Sequence, residues 1–208
     1  MAKRNKRHAG LMGCSSIPYA QRLKMKQQCD IVDSRDHAAR IAMYCTSLAL
    51  HDVAGIGYQR LAKFAVHHKE LVEEFYQDQE VGMAHCIKRM QELGMPIDGE
   101  FYIPPEDGST KRERELQTHA LQAVQVALIL GAIAANDVFG FGPDRQRRLC
   151  DRINELSTRY NRQGQGFLLE EMAKLGFAII DGKAMVFLDE DGRAVSPSKA
   201  RKAVVEGG

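Results

Sequence analysis

The chain repeats itself, and that repetition constrains the fold more than any single motif. Ala49-Leu50-His51-Asp52-Val53-Ala54-Gly55-Ile56-Gly57 is matched by Ala134-Ala135-Asn136-Asp137-Val138-Phe139-Gly140-Phe141-Gly142, and each segment is followed by an arginine, Arg60 or Arg145. The register holds without gaps from Ala38/Ala123 to Leu71/Leu156, and apolar positions agree where identities fail, as in Ile41/Val126 and Phe64/Leu149. With small gaps it resumes at Met90–Met95 and Met172–Phe177, at Ile97-Asp98-Gly99 and Ile180-Asp181-Gly182, and at Asp107-Gly108 and Asp191-Gly192. Chance similarity does not keep its order through separate blocks. The expectation is therefore a mostly α protein made from an internally duplicated helical unit, its two copies packed about a pseudo-two-fold axis.

Each unit reads as helix, glycine turn, helix, helix and a short β-hairpin. The first helix is expected from an N-cap at Ser34 to about Val53, and its counterpart, longer, from about Thr110 to Val138. Second helices are expected over 58–77 and 143–160, with Pro143 at a first helical position. Third helices are expected over 82–93 and 166–175, closed by Gly94 and Gly176. Phe177–Ile180, the Asp181-Gly182 turn and Ala184–Leu188 form a clear hairpin signal, whereas Phe101-Tyr102-Ile103-Pro104-Pro105 is weakened by its prolines. The units then span 34–108 and 109–194, between a basic N-terminal arm at 1–33 and a C-terminal tail at 195–208. The small residues Gly131, Ala132, Ala134 and Ala135 predict close helix approach at the centre of the fold.

The formal charge is only +2, but its distribution is uneven. Lys3, Arg4, Lys6, Arg7, Arg22, Lys24 and Lys26 all precede Asp30, the first acidic residue. A basic arm on a near-neutral body is suited to a polyanion. The five cysteines form no CxxC pair and several sit in apolar helical patterns, which suits free thiols in a reducing cytoplasm. No apolar region follows the basic N-terminus as in a signal peptide. The apolar run 126–135 is short for a bilayer, so a buried helix is expected and no membrane partner.

The Gly-x-Gly turns carry the most specific reading. Asp52–Arg60 and Asp137–Arg145 each resemble the helix-hairpin-helix family of DNA-binding motifs, in which the backbone N–H groups of a Gly-hydrophobic-Gly turn hold a phosphate. The resemblance implies phosphate contacts from Gly55, Gly57 and Arg60 in one copy, and from Gly140, Gly142, Arg145, Arg147 and Arg148 in the other. It departs from the family in the second helix, where Leu61 and Gln146 replace a small residue. The competing reading is a glycine C-cap with Ile56 and Phe141 in the core. The order of elements also resembles a winged-helix unit, with His85, Lys88 and Arg89 better suited to DNA than Glu170, Glu171 and Lys174. The arm residues Lys3, Arg4, Lys6 and Arg7 would add contacts through counterion release.

Other chemistry finds little support. The pairs His67-His68 and His85-Cys86 are adjacent, and adjacent helical residues diverge by about 100°, so neither chelates a metal. No nucleophile elbow, P-loop or zinc-protease signature occurs, so no catalytic residue and no cofactor is assigned and the chain is expected not to be an enzyme. Asp52 and Asp137 are expected to cap their turns or bond Arg60 and Arg145. The Ala49–Arg60 segment and its copy also resemble small helical proteins of phages and prophages of Gram-positive bacteria. That implies a mobile-element origin. The basic arm and the glycine turns then make a non-enzymatic nucleic-acid or nucleoprotein binder the first expectation. Two alternatives stay open. One is a protein inhibitor of a host defence nuclease, as anti-CRISPR proteins are, with Glu70, Glu73, Glu74, Asp78 and Glu80 imitating a phosphate row. The other is a phage structural or assembly component. A homodimer is the default oligomer.

Overall fold

The computed structural model describes residues 18–94, 110–189 and 194–195. The described chain is mostly helical: α1 (Tyr19–Ala54), α2 (Tyr58–Gln77), α3 (Gln79–Glu92), α4 (Lys111–Phe139), α5 (Pro143–Gln163) and α6 (Gln165–Lys174) precede four short strands. The arm residues Lys3, Arg4, Lys6 and Arg7, the weak first hairpin at 101–105 and the tail from 196 onward lie outside the described residues.

Two long helices form the centre. Arg112 of α4 donates to the Gln27 carbonyl of α1 at 2.6 Å, Ser34 reaches the Leu116 carbonyl, and Thr46 faces Gly131. Sequence numbers rise together along both helices, so α1 and α4 run parallel. The small residues do what their pattern predicts: a Cβ on Gly131 would stand 3.5 Å from the Thr46 methyl. Thr46 turns its hydroxyl to the Ala42 carbonyl of its own helix at 2.9 Å and gives only its methyl to the contact. Parallel helices gain nothing from their macrodipoles, so the apolar interface must hold them together.

The flanking helices run the other way. On α4, Arg60 of α2 lies over Phe139 while His68 donates to the Ala127 carbonyl at 3.2 Å, so α2 is antiparallel to α4. On α1, Arg152 of α5 meets Asp52 while Tyr160 meets His37, so α5 is antiparallel to α1. The main core joins Leu48, Leu50, Ile56, Leu61, Phe64, Phe141, Leu149 and Leu168, and a second cluster under α3 joins Phe75, Cys86, Met90 and Leu130. Among the described helices, α4 is long and apolar enough to cross a membrane by length and composition; here its Leu130–Ala135 stretch is buried between neighbouring helices.

Several boundaries differ from those expected. α1 starts at Tyr19 after Pro18, not near Ser34, and is longer than α4 rather than shorter. Residues 19–33 contain no glycine or proline and many good helix formers, and Ser34 spends its hydroxyl on α4 instead of capping. The helical part of α1 thus reaches into the stretch assigned to the arm. α4 begins as expected, because Thr110 and Glu113 form a reciprocal capping box. α3 starts at Gln79, where Asp78 accepts from the Glu80 and Val81 N–H groups.

The expected strand 184–188 is broken. β1 (Ala178–Ile180) pairs with β2 (Lys183–Met185) across the Asp181-Gly182 turn, both of whose residues have positive φ. Beyond Val186, β3 (Phe187–Leu188) pairs instead with β4 (Ala194–Val195). The Tyr58 hydroxyl donates to the Val195 carbonyl and accepts from Phe187 N–H, tying this second pair to α2.

The α1–α4 contact yields a graded expectation. Gly131→Ala fits at ordinary contact distance and gains helix propensity, so it should leave stability unchanged or raise it by up to about 1 kcal/mol. Gly131→Leu should overpack against Thr46 and cost roughly 1–3 kcal/mol or more. Urea denaturation followed by circular dichroism measures both.

Candidate nucleic-acid interface

Because α1 and α4 are parallel, their C-termini lie at one end of the bundle, and both Gly-x-Gly turns lie there with them. Gly55 (φ 62°, ψ 29°) and Gly140 (φ 65°, ψ 37°) close the two helices in the left-handed conformation. Their N–H groups return to the His51 and Asn136 carbonyls, each at 2.7 Å. The residue that follows is buried in both, Ile56 and Phe141 at 1% exposure. The side chains four residues before each glycine complete the turn: His51 Nδ1 donates to the Ile56 carbonyl and the Asn136 amide to the Phe141 carbonyl, both at 3.1 Å. The first glycine of each pair is thus a helix cap with an apolar plug, as the competing sequence reading held, so its N–H does not face a ligand.

The second glycine is different. Gly57 (φ −82°) and Gly142 (φ −80°) have extended backbones that any residue adopts, and a Cβ on either would meet nothing within 4 Å. Neither conformation nor internal packing asks for glycine there. Each is the N-cap of the next helix, and neither α2 nor α5 has a side-chain cap, in contrast to α3 and α4. The Tyr58 and Gln59 N–H groups of α2, where Arg60 N–H already bonds the Gly57 carbonyl, and the Asp144 and Arg145 N–H groups of α5, where Pro143 has none, are left to solvent or to a ligand.

The two turns are joined by a ladder of rings and guanidinium groups. Arg60 lies 5.1 Å over Phe139, Phe139 is 6.1 Å from Phe141, and Arg145 lies 5.1 Å over Phe141. Arg145 also donates to the Gly140 carbonyl at 2.9 Å, while Arg147 pairs loosely with Asp144 on the exposed face of α5 and Arg148 is exposed beside it. Gly55, Gly57, Arg60, Gly140, Gly142 and Arg145 are thus brought together, with Arg147 and Arg148 alongside. Sequence reasoning passed over Phe139, whose only signal was an aromatic directly before the glycine. Gln146, where a small residue was expected, is fully buried and donates to the Ala132 carbonyl at 2.7 Å.

The expected partners of the paired aspartates are overturned. Asp52 bonds Arg152 of α5 at 2.8 Å, and Asp137 bonds Arg89 of α3 and His67 of α2. Arg60 and Arg145 are held away by the rings they stack on. Each aspartate instead ties its turn to a helix from the other half of the sequence. The acidic row is also partly spent: Glu70 holds His67, Glu73 holds Lys69 and Asp78 caps α3. Arg89, once a candidate reader of DNA, is bound to Asp137 and Glu92.

Beside the first turn lies a cleft of about 370 Å³ between Leu48, His51, Asp52, Arg152, Phe167 and Lys174. Its charges are already matched, Arg152 with Asp52 and Lys174 with Glu171. Among the described residues no group of three histidine, cysteine or carboxylate side chains could hold a metal. The described thiols are all free, and burial pushes the Cys45 thiol up to about 11.

Two adjacent histidines respond oppositely to pH. Burial alone would lower the pKa of His67, but the carboxylates of Asp137 and Glu70 on its two nitrogens outweigh it and raise the value. Its contribution is complete below the unfolded-state value near 6.5 and is lost as pH rises through the folded one. Burial pushes His68 down to about 4 despite its bond to the Ala127 carbonyl. Its contribution is present above about 6.5 and falls away as pH drops toward 4, by on the order of 3 kcal/mol. His68→Gln keeps a donor for that carbonyl without titrating. It should flatten the stability profile between pH 6.5 and 4, read as urea midpoints at each pH. An unchanged slope would mean that other groups govern the acid limb.

The glycine pairs give a second expectation. Gly55→Ala and Gly140→Ala should each cost about 1 kcal/mol, because alanine is strained at positive φ. Gly57→Ala and Gly142→Ala strain no backbone and should each cost less, only what separates alanine from glycine at an N-cap, and thermal melts rank the two classes.

No known protein family, curated protein or solved structure matches this chain.

Proposed function

We propose that this chain is a non-enzymatic nucleic-acid- or nucleoprotein-binding protein, phage or mobile-element encoded, built from two copies of one helical unit related by a pseudo-two-fold axis. One observation carries the binding reading. Two uncapped helix N-termini, each preceded by a glycine with open space before it, lie at the same end of the bundle beside Arg60, Arg145, Arg147 and Arg148. Such N–H groups with a positive helix end are suited to phosphate oxygens, and a missing Cβ lets a phosphate approach the backbone.

The duplicated architecture is supported by contacts that recur at matching positions with the halves exchanged. Asp52 meets Arg152 where Asp137 meets His67, and those partners hold Glu155 and Glu70 one turn further on. Pro143 of α5 faces Gly94, and Tyr58 of α2 faces Gly176. On the axis itself, Thr46 faces its own counterpart Gly131, and Gln27 meets Arg112. The resemblance of the turn segments to phage and prophage proteins supports the mobile-element origin, and a host cytoplasm is the matching compartment.

The arm enters the proposal at a distance from the turns. α1 joins the arm at Tyr19 and the first turn at Gly55, and its 36 residues span about 50 Å. An arm and a turn acting together would suit roughly 15 base pairs of duplex at about 3.4 Å each.

Fluorescence anisotropy with labelled duplex and single-stranded DNA and RNA, titrated across salt, tests the reading. Affinity should fall linearly on a log–log salt plot. Gly57→Ala with Gly142→Ala should weaken binding about tenfold or more while lowering the melting temperature only slightly, the protein staying fully folded at the assay temperature. Replacing Lys3, Arg4, Lys6 and Arg7 together should weaken it for all sequences and lower the salt slope. Absence of binding to every probe at low salt would remove the function; binding indifferent to the double glycine variant would remove the turns from it.

A further inference from the structure

The two aspartates that fasten the glycine turns are held by unlike cations. Asp52, in the last turn of α1, is bound by Arg152 of α5 at 2.8 Å, and the same guanidinium holds Glu155 one turn further on at 2.6 Å. Asp137, in the last turn of α4, is bound by His67 of α2, and the same ring holds Glu70 one turn further on, both at 3.2 Å. The members of the two clusters stand at matching positions of the proposed repeats, so a histidine occupies in one the place of an arginine in the other. Arginine is not deprotonated in proteins, whereas histidine changes charge near neutrality.

The geometry around His67 specifies its charged form. Nε2 lies against an Asp137 oxygen and Nδ1 against a Glu70 oxygen. Only the imidazolium has two N–H donors; a neutral ring turns a lone pair to one of the two carboxylates and must give it up. The side chain is 31% exposed, so its proton exchanges with solvent. The remaining charged and titratable groups around it are few. From α3, Arg89 bonds the second oxygen of Asp137 and also holds Glu92. On α2 itself, His68 is buried with its Nε2 on the Ala127 carbonyl, and burial pushes its pKa down to about 4. Burial would lower the pKa of His67 as well, but the bonds to Asp137 and Glu70 outweigh it. His67 therefore loses its charge above the ordinary histidine value near 6.5.

We propose that His67 is a proton-operated clamp on the second glycine turn: charged, it ties the end of α4 to α2, and on deprotonation it releases that tie, while Arg152 fastens the first turn whatever the pH. Arg89 keeps Asp137 on α3 after release, so the turn loosens without coming free. The first turn has a histidine of its own, His51. Its Nδ1–H bond to the Ile56 carbonyl is open to the neutral and to the charged ring alike, so deprotonation breaks no tie there. Two similar turns thus differ in one respect, the first held permanently and the second in step with pH. Regulation of binding by the clamp rests on the proposed function. A phosphate at the second turn and a proton on His67 favour each other, through the ordered turn and through the added positive charge.

Amide hydrogen exchange of the full chain, followed by NMR between about pH 6 and 9 and expressed as protection factors, tests the clamp without a ligand. As pH rises, protection of the Gly140 and Phe141 N–H groups should fall about threefold or more, with the same midpoint as the His67 ring resonances. His67→Arg should hold that protection constant, and His67→Gln, which carries no charge, should show the low value at every pH. Arg152→His should give the Gly55 N–H the same loss. Protection indifferent to pH in the parent would overturn the clamp, as would a fall that persists in His67→Arg. Anisotropy with labelled duplex DNA reads the consequence for binding: affinity should weaken with rising pH about threefold more in the parent than in His67→Arg. Equal weakening in both would overturn the regulation and leave nucleic-acid binding in place. Absence of binding at every pH would remove the proposed function and the regulation with it, while the exchange data would still decide the clamp.

Discussion

Everything in this fold is positioned by the parallel contact between α1 and α4. Thr46 gives its methyl to that contact because its hydroxyl is spent on the Ala42 carbonyl, and Gly131 gives no side chain at all. Parallel packing sets both C-termini at one end of the bundle. Since each of these helices is followed by a tight glycine turn and an antiparallel helix, both turns and both new N-termini must share that end. An antiparallel central pair would have put the turns at opposite ends and left two isolated caps rather than one face.

The ion pairs follow from the same geometry. Asp52 and Asp137 each terminate a central helix, yet each is bound by a helix from the other half of the sequence. These bonds are exposed and individually weak. Their effect is to hold the turns against α5, α2 and α3 with a defined orientation, and they leave Arg60 and Arg145 to the aromatic ladder. The buried Ile56 and Phe141 then anchor the turns from below. The glycine face is therefore held from both sides, and in the proposed function that rigidity would limit the ordering cost of binding.

At the opposite end the situation is reversed. Three cations near the N-terminus of α1 oppose the macrodipole of their own helix, and no acidic residue in its first turn offsets them. The end of α1 is thus electrostatically incomplete as it stands.

Local signals were read well. Gly55 and Gly140 end helices because only glycine adopts their φ without strain, the Asp181-Gly182 turn is dictated by its residues, and Thr110 with Glu113 fixes where α4 starts. The start of α1 was misplaced because helix propensity continues smoothly through 19–33 and Ser34 is equally able to cap or to reach across to α4. The strand at 184–188 looked continuous because the hydroxyl of Tyr58, far away in sequence, is what draws Phe187 and Val195 together. Sequence alone thus determined the helical character, the turns and the positions where small residues let helices meet, since these depend on neighbouring residues and on backbone conformation. Only the tertiary structure decided that α1 and α4 lie parallel, that the aspartates cross to distant helices and that the two turns form one face, because those outcomes depend on which surfaces meet.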